Sequence, residues 1–441
     1  MKINFLLVSI VAFFILGSCK KSSPGNNAGG GGGVSATVPV LSVTTAVTGI
    51  TNTSAISGGN VNSDGGAAVS VRGVCWNTAS NPTIANSKTT DGSGTGSFTS
   101  NLTGLNAGVT YYVKAYAINS AGTAYGTELS FSTPNADVYV AGYESNGTAY
   151  VAKLWRNGVA SSLTGGSTDA EALCVRVVGS DVYVAGYEFI GGIEVARIWK
   201  NGVASSLTSG VFSARANSIF VSGPDVYVAG YESVANGRVA KIWKNGVAAT
   251  LPGTGTVETG YSIYVSGPDV YVAGVGTVPG IYAKSWKNGV ATALTNGATN
   301  AEGRAIYVMG SDVYIAGYEF VGANNVGKVW KNGVATSLTN ATNYGYAWGI
   351  FVSGTDVYAC GGETNGPKYV AKSWKNGVPT SLTNGVNISQ AYSINVLGTD
   401  VYTCGFESNG LKNVAKVWQN GVATALTNGS NDAVALSIFV K

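Results

Sequence analysis

Residues 181–207 read DVYVAGYEFIGGIEVARIWKNGVASSL, and versions of this segment recur along the last 305 residues of the chain. Successive copies are 43 or 44 residues apart. Each divides into short runs rich in Val, Ala and Ile that are separated by Gly, Asn and Ser, a pattern that predicts strands and turns. The opening tripeptide Asp-Val-Tyr begins at Asp137, Asp181, Asp225, Asp269, Asp312, Asp356 and Asp400.

Each repeat contains four candidate strands, which in the second copy are residues 181–187, 195–200, 203–207 and 218–221. Asn-Gly separates the second from the third, and this pair is preferred in two-residue hairpin turns because both residues need a positive φ angle. The pair begins at Asn157, Asn201, Asn245, Asn288, Asn332, Asn376 and Asn420. Four short strands every 44 residues are typical of propeller blades, so we predict a seven-bladed β-propeller over residues 135–441.

The order of the repeats predicts how this propeller closes. The array opens with the Asp-Val-Tyr strand, whereas the chain ends with residues 435–440, which match the strand that precedes Asp-Val-Tyr elsewhere. If that strand is the innermost one, residues 437–440 complete the first blade beside residues 138–164. Such a pairing joins the two ends of the array and removes an exposed sheet edge.

Residues that never change between repeats are expected to build the fold. A Trp at one fixed position is interpreted as core between blades rather than as seven sugar-stacking platforms. The Asp of Asp-Val-Tyr is expected to fix a turn. Six Glu residues should form exposed pairs with Lys or Arg across a hairpin: Glu144, Glu188, Glu232, Glu319, Glu363 and Glu407 with Lys153, Arg197, Lys241, Lys328, Lys372 and Lys416.

Positions that differ between repeats are the candidate binding surface, because a repeat fold keeps its packing residues and varies its contacts. Two such positions lie ten and eight residues before each Asp, with only Ala or Gly between them. We predict that they line the mouth of a central funnel and bind a ligand there, although ordinary loop residues remain an alternative. The candidates are Glu171, Arg215, Tyr261, Glu302, Arg304, Tyr344, Tyr346, Trp348, Gln390 and Tyr392.

The first 36 residues are expected to target and tether the protein. Residues 1–18 carry a basic end and a short apolar core, as in a signal peptide. The sequence Leu-Gly-Ser-Cys at residues 16–19 resembles the lipobox of bacterial lipoproteins, which implies lipidation of Cys19 and an outer-membrane anchor. A plain secretory signal is the alternative. Residues 19–36, rich in Gly and Ser, are expected to form a flexible tether.

Residues 37–134 are predicted to form a separate β unit, since several runs alternate at period two. Leu105 and Tyr111 stand at the spacing of the tyrosine corner, and the segment resembles the end of a fibronectin type III domain. Ala107 replaces the usual proline, the early Trp is missing, and Trp76 is expected to fill the core instead. The resemblance implies a β-sandwich, which we interpret as a spacer.

Composition limits the chemistry. The chain has no His, which removes the commonest general base and metal ligand. We therefore expect no catalytic residues, no metal and no cofactor, and we expect no disulfides among the cysteines after Cys19. The net charge of +4 is small, so no nucleic-acid partner is expected. The protein is expected to be a monomer that touches the membrane only through its anchor.

The expected function is non-enzymatic binding of a glycan or a protein at the funnel. The Trp-Lys-Asn-Gly pattern resembles that of a group of bacterial β-propeller proteins, and this resemblance implies a fold without implying an activity. One alternative is a carbohydrate-active enzyme of glycosidase or lyase type that uses Glu171 and Glu302 as paired carboxylates. Another is a structural adhesin or assembly protein that makes its contacts through the outer rim.

Overall fold

A computed structural model describes residues 35–253, 255–278 and 280–441. Within these ranges the chain is all-β, with 37 strands and no helix, and therefore no helix that could cross a membrane. The predicted signal peptide (residues 1–18), the lipidation site Cys19 and all but the last two residues of the tether (19–36) lie outside the described residues.

The first nine strands form two antiparallel sheets, which we call the N-terminal unit. Strand β3 pairs with β1, β2 and β6 in one sheet, and the other has the order β5-β4-β7-β8 with β9 on β7. The strands are β1 (Val40–Leu41), β2 (Thr45–Thr48), β3 (Ser54–Ser63), β4 (Val71–Asn77), β5 (Ser87–Lys88), β6 (Gly96–Thr103), β7 (Thr110–Asn119), β8 (Gly122–Tyr125) and β9 (Leu129–Ser132).

The core of the N-terminal unit contains the residues that the sequence singled out. Trp76, Leu105 and Tyr111 are buried together with Val74 and Leu102. The backbone N–H of Asn106 donates a hydrogen bond of 2.9 Å to the Tyr111 hydroxyl. This is the contact between a loop and the following strand that the spacing of Leu105 and Tyr111 predicted.

The other 28 strands form seven four-stranded antiparallel sheets, which we call blades 1 to 7. From the innermost strand outward, blade 1 has β37 (Ala433–Val440), β10 (Val138–Ser145), β11 (Tyr150–Arg156) and β12 (Val159–Ser162), and blade 2 has β13 (Ala170–Val178), β14 (Asp181–Ile190), β15 (Ile193–Lys200) and β16 (Val203–Ser206). In the same order, blade 3 has β17 (Ala214–Ser222), β18 (Asp225–Val234), β19 (Gly237–Lys244) and β20 (Val247–Thr250); blade 4 has β21 (Thr259–Ser266), β22 (Asp269–Gly276), β23 (Tyr282–Lys287) and β24 (Val290–Ala293); and blade 5 has β25 (Ala301–Met309), β26 (Asp312–Val321), β27 (Asn324–Lys331) and β28 (Val334–Ser337). Blade 6 has β29 (Gly345–Ser353), β30 (Asp356–Asn365), β31 (Lys368–Lys375) and β32 (Val378–Ser381), and blade 7 has β33 (Ser389–Leu397), β34 (Asp400–Ser408), β35 (Asn413–Gln419) and β36 (Val422–Ala425).

The innermost strands form a closed ring, since each contacts the next and β37 contacts both β33 and β13. This arrangement is consistent with a seven-bladed β-propeller. Strand β37 pairs antiparallel with β10, and Val440 lies opposite Val138. The predicted completion of the first blade by the C-terminal strand is therefore confirmed.

The Asn-Gly turns and the Asp residues lock together at one end of each blade. The Asn of every pair has a φ angle near +50° and the following Gly one near +80°, as a type I′ turn requires. In blade 2 the Asn201 side-chain amide donates to Asp181 at 2.9 Å and its oxygen accepts from the Val182 N–H at 2.8 Å. The same contacts recur in every blade, which confirms that these Asp residues fix turns.

The repeated Trp residues are core between blades, as predicted. Trp199 of blade 2, for example, packs in one cluster with Tyr139 and Ala141 of blade 1. All seven are at most 1 % exposed: Trp155, Trp199, Trp243, Trp286, Trp330, Trp374 and Trp418. Burying a ring of this size provides a large share of the apolar contact between neighbouring sheets.

The six Glu–Lys/Arg pairs are present, at 2.5–3.3 Å, but they are not exposed as predicted. Their side chains are only 13–27 % exposed, because the neighbouring blade covers the strands that carry them. Blade 4 differs, since Gly276 occupies the Glu position. There Lys284 pairs at 2.9 Å with Glu258, and both side chains are 3 % exposed.

The N-terminal unit contacts the ring at the end where the Asp turns lie. The Asn52 side-chain amide donates to the Lys441 carbonyl at 2.9 Å, and the Thr399 hydroxyl donates to Asn106 at 2.7 Å. Thr399 lies in the turn after β33, whereas the start of β33 is at the other end of the ring. The N-terminal unit therefore leaves that other end uncovered.

The four described cysteines are free: Cys75, Cys174, Cys360 and Cys404.

Candidate functional site

A cavity of about 850 Å³ occupies the centre of the ring. Residues of the seven innermost strands line it, and hairpin residues of blades 2 and 3 join them at the end far from the N-terminal unit. We call this space the central cavity and that end its mouth. Its volume is in the range of ordinary small-molecule sites.

One residue in each innermost strand enters the cavity because the strand is irregular there. In blade 2, Ala172 pairs with Gly186 and Cys174 pairs with Ala185, so Leu173 is an extra, unpaired residue. Such a β-bulge turns a side chain out of the regular alternation. The bulge recurs in all seven blades, and its residue lines the cavity each time: Leu173, Asn217, Tyr261, Arg304, Trp348, Tyr392 and Leu436.

The ten predicted site residues fall into two groups. Five of them line the cavity: Arg215, Tyr261, Arg304, Trp348 and Tyr392. The other five do not: Glu171, Glu302, Tyr344, Tyr346 and Gln390. Four of the second group, all except Tyr344, pair regularly with the second strand just before the bulge. Arg215 holds that same position in blade 3 but reaches the cavity. Whether any of the ten binds a ligand stays a prediction.

Three residues of the second group support the cavity residues from behind. Tyr346 stacks on Trp348 with ring centroids 5.2 Å apart, and Gln390 accepts a hydrogen bond of 3.2 Å from the Trp348 indole. Glu302 forms an ion pair with Arg304. Tyr344 differs, because it is 41 % exposed and takes part in no aromatic pair within the described residues.

Trp348 is held by neighbours instead of presenting a free face. Besides Tyr346, the Arg304 guanidinium lies 4.8 Å from its ring centre, and Tyr392 lies at 6.1 Å. Arg304 also lies 4.1 Å from the ring of Tyr261. The wall formed by blades 4 to 7 is thus an aromatic surface with one guanidinium packed into it.

Blades 2 and 3 contribute a charged wall, of which the sequence predicted only Arg215. Arg215 lies 4.1 Å from the Tyr187 ring and pairs at 2.5 Å with Glu194. Burial favours the neutral acid, but Arg215 and the Tyr231 hydroxyl outweigh it and hold the pKa of Glu194 below its ordinary value. Arg238 lies 3.8 Å from the Tyr231 ring.

The end of the cavity opposite the mouth is surrounded by a ring of side chains that we call the collar. The rings of Phe220, Tyr264, Tyr307 and Phe351 follow one another at 4.7–4.9 Å. The Arg176 guanidinium lies between Phe220, at 4.9 Å, and Phe439, at 5.6 Å. Five of these six residues stand five positions before an Asp of Asp-Val-Tyr, and Phe439, opposite Tyr139, takes the equivalent place in blade 1. All but Arg176 are aromatic, and this regularity is a signal for the collar that was present in the sequence.

The paired-carboxylate hypothesis needs Glu171 and Glu302 to lie in the cavity wall, and neither of them does. Burial raises the pKa of Glu171, with a nearby Arg215 acting in the opposite direction. In the part of the chain that the structure describes, no group of three or more Cys, Asp or Glu residues could hold a metal ion.

Comparison with known proteins gives little beyond this geometry. No protein-family model matches the chain, and no curated protein sequence matches it. Similar solved structures include TolB from Acinetobacter baumannii, at 9 % identity and a TM-score of 0.42, over 61 % of this chain and 76 % of that one. They also include a DUF4784 family protein from Bacteroides caccae, at 8 % identity and a TM-score of 0.28, over 78 % and 96 %. Likenesses this weak carry no argument about function.

Proposed function

We propose that this protein is a non-enzymatic binding protein of the cell envelope, with its ligand, a glycan or a protein segment, held in the central cavity. One observation carries the proposal. Seven otherwise similar repeats each direct one bulge residue into the same cavity, and these residues differ in size, polarity and charge. A repeat fold whose copies differ where its blades converge has the features of a recognition surface.

The position of the mouth supports display away from the membrane. The N-terminal unit, which we propose to be a fibronectin type III-like spacer, contacts the ring at the opposite end. A lipid at Cys19 would anchor the chain to the outer membrane on that side. A mass spectrum of the native protein tests the anchor, which is refuted if Cys19 carries no acyl chains.

An enzymatic function has less support from this site. The only carboxylate among the described cavity-lining residues is Glu194, and it is paired with Arg215. Glycoside hydrolysis ordinarily needs two carboxyl groups on either side of the scissile bond. The cavity is therefore better suited to holding a ligand than to cleaving one.

One observation favours a structural or adhesive role instead. The outermost strand of each blade is exposed, and its first residue is a Val that is 67–73 % exposed. These residues repeat around the rim: Val159, Val203, Val247, Val290, Val334, Val378 and Val422. A partner bound there would be unaffected by changes in the cavity.

A binding screen separates the two roles. Full-length protein in detergent would be applied to a glycan array and used to capture envelope proteins. We expect Tyr392→Ala to abolish binding and Tyr150→Ala, a matched change outside the cavity wall, to leave it intact. Binding that survives Tyr392→Ala but is lost in Val203→Ser would contradict the proposal and favour the rim.

A further inference from the structure

We propose that the ligand of the central cavity is an acidic oligosaccharide, bearing carboxylate or sulfate groups; this rests on the proposed function. Among the described residues that line the cavity, the cations are Arg176, Arg215, Arg238 and Arg304, and Glu194 is the single anion. The lining residues therefore carry a formal excess of three positive charges, which falls to two when Glu302, the partner of Arg304 behind the wall, is included. A concave site lined by one sign of charge concentrates ligands of the other sign.

Two of these arginines have their hydrogen-bonding capacity available. Arg215 and Arg304 are paired with Glu194 and Glu302. Arg176 and Arg238, in contrast, form no ion pair and donate no side-chain hydrogen bond to any residue that the structure describes. Aromatic faces orient both guanidinium groups without using their N–H donors.

The two free guanidinium groups lie at different depths. Arg176 belongs to the collar, whereas Arg238 stands at the start of β19 beside the mouth. A ligand that fills the cavity can therefore meet a cation at both ends. Because a guanidinium binds carboxylate and sulfate groups through two parallel hydrogen bonds, several spaced anionic groups suit this wall better than a single one.

Two observations favour a saccharide over an acidic peptide. Ser213, Ser233, Asn217 and Asn395 place hydroxyl and amide groups in the lining, where they can bond to sugar hydroxyls. An extended peptide would instead need free backbone donors on the innermost strands. Four of these inward N–H groups already donate to Ser hydroxyls of the preceding blade at 3.1–3.2 Å: those of Val175, Ile263, Ile306 and Ile438.

The test is calorimetric titration of the full-length protein in detergent with four defined probes. Tetragalacturonate carries carboxylates, a chondroitin sulfate tetrasaccharide carries sulfate as well, cellotetraose is neutral, and hexaglutamate is an acidic peptide. We expect the acidic sugars to bind and cellotetraose not to bind. Binding should weaken as salt is raised, since ion pairing with the guanidinium groups is screened. The two acidic sugars distinguish a carboxylate ligand from a sulfate ligand.

Three variants locate the charge. Arg238→Gln should weaken binding of the acidic sugar about ten- to hundredfold, the range of a lost charged hydrogen bond. Arg238→Lys keeps the charge but cannot form the two parallel hydrogen bonds, so its affinity should lie between that of Arg238→Gln and that of the unchanged protein. Arg156→Gln makes the same change of net charge on an exposed surface outside the cavity and should have no effect.

The possible failures can be told apart. Equal binding of cellotetraose, or an Arg238→Gln variant that binds the acidic sugar normally, would overturn the acidic ligand while the binding function stands. Binding of hexaglutamate alone would overturn the saccharide in favour of a peptide. No binding of any probe, together with no hit on a glycan array and no captured envelope protein, would overturn the proposed function itself.

Discussion

Replacing Glu258 by Gln would leave Lys284 as an unpaired cation in the interior of blade 4. The Lys284 ammonium lies 2.9 Å from a Glu258 oxygen, and both side chains are 3 % exposed. At this distance and an effective dielectric constant of about 20, the attraction is about 6 kcal/mol. Since Gln can still accept one hydrogen bond, we expect the free energy of unfolding to fall by about 3–5 kcal/mol.

The measurement is urea unfolding of the full-length protein, followed by Trp fluorescence, because Trp286 lies beside this ion pair. The matched control is Glu232→Gln in blade 3. Its partner Lys241 lies at 3.2 Å, but the two side chains are 16 % and 27 % exposed. Solvent reaches that half-buried pair but not the pair in blade 4, so the control should lose less stability, about 1 kcal/mol.

A double variant distinguishes the loss of the ion-pair attraction from the cost of burying an unpaired Lys284 ammonium. Glu258→Leu combined with Lys284→Met removes both charges and should recover most of the stability that Glu258→Gln loses. If Glu258→Gln destabilises no more than Glu232→Gln, burial does not govern this pair and the reasoning is refuted. If the double variant is as unstable as Glu258→Gln, the cost comes from packing.

Acid should destabilise the ring, because hydrogen bonds from Lys and Asn lower the pKa of five turn carboxyls: Asp181, Asp225, Asp269, Asp312 and Asp356. A carboxyl whose pKa is lowered by folding stabilises the folded state at pH values above its unfolded pKa of about 4, and this stabilisation is lost as the pH falls through its folded pKa. Thermal unfolding between pH 6 and pH 2 should therefore show a smaller loss of stability in Asp225→Asn than in the unchanged protein. Burial raises the pKa of Cys75 to about 11 and that of Cys404 well above its ordinary value, so iodoacetamide at pH 8 should modify Cys174, which lines the cavity, first. Mass spectrometry that finds Cys404 modified before Cys174 would contradict the burial described here. Deleting residues 433–441 removes β37 and should abolish the protease resistance of the ring, whereas deleting Lys441 alone should not; a deleted chain that stays resistant would show that closure is dispensable.

The parts of the fold that depend on local chemistry could be predicted from the sequence. Asn157 and its six equivalents adopt a positive φ angle because the Asn-Gly pair itself favours a type I′ turn, with little dependence on neighbouring residues. The completion of blade 1 by residues 437–440 followed from the order of the repeats alone. Trp199 could be assigned to the core because a residue fixed in every repeat must meet the same neighbour each time.

The site was predicted only in part, because a bulge and the approach of neighbouring blades decide it. Regular alternation places Glu171 and Leu173 on one face, but because Leu173 is the extra residue of the bulge in β13, it lines the cavity and Glu171 does not. Arg238 and Glu194 were not predicted, since they stand at hairpin ends whose direction the repeat does not specify. Glu258 lies outside the repeated pattern, and only the Gly at position 276 hinted that another carboxylate was needed.

The joining of the two ends of the array has a mechanical consequence. Asp137 and Lys441 exchange backbone hydrogen bonds of 2.9 and 3.2 Å, and β10 follows directly from the N-terminal unit. Tension between a ligand held at the mouth and the N-terminal unit would pull β10 along its own axis against β37. Seven residue pairs, from Val138 with Val440 to Glu144 with Ala433, would then carry the load in shear at the same time. The strand that closes the ring is thereby also the part of it that resists force.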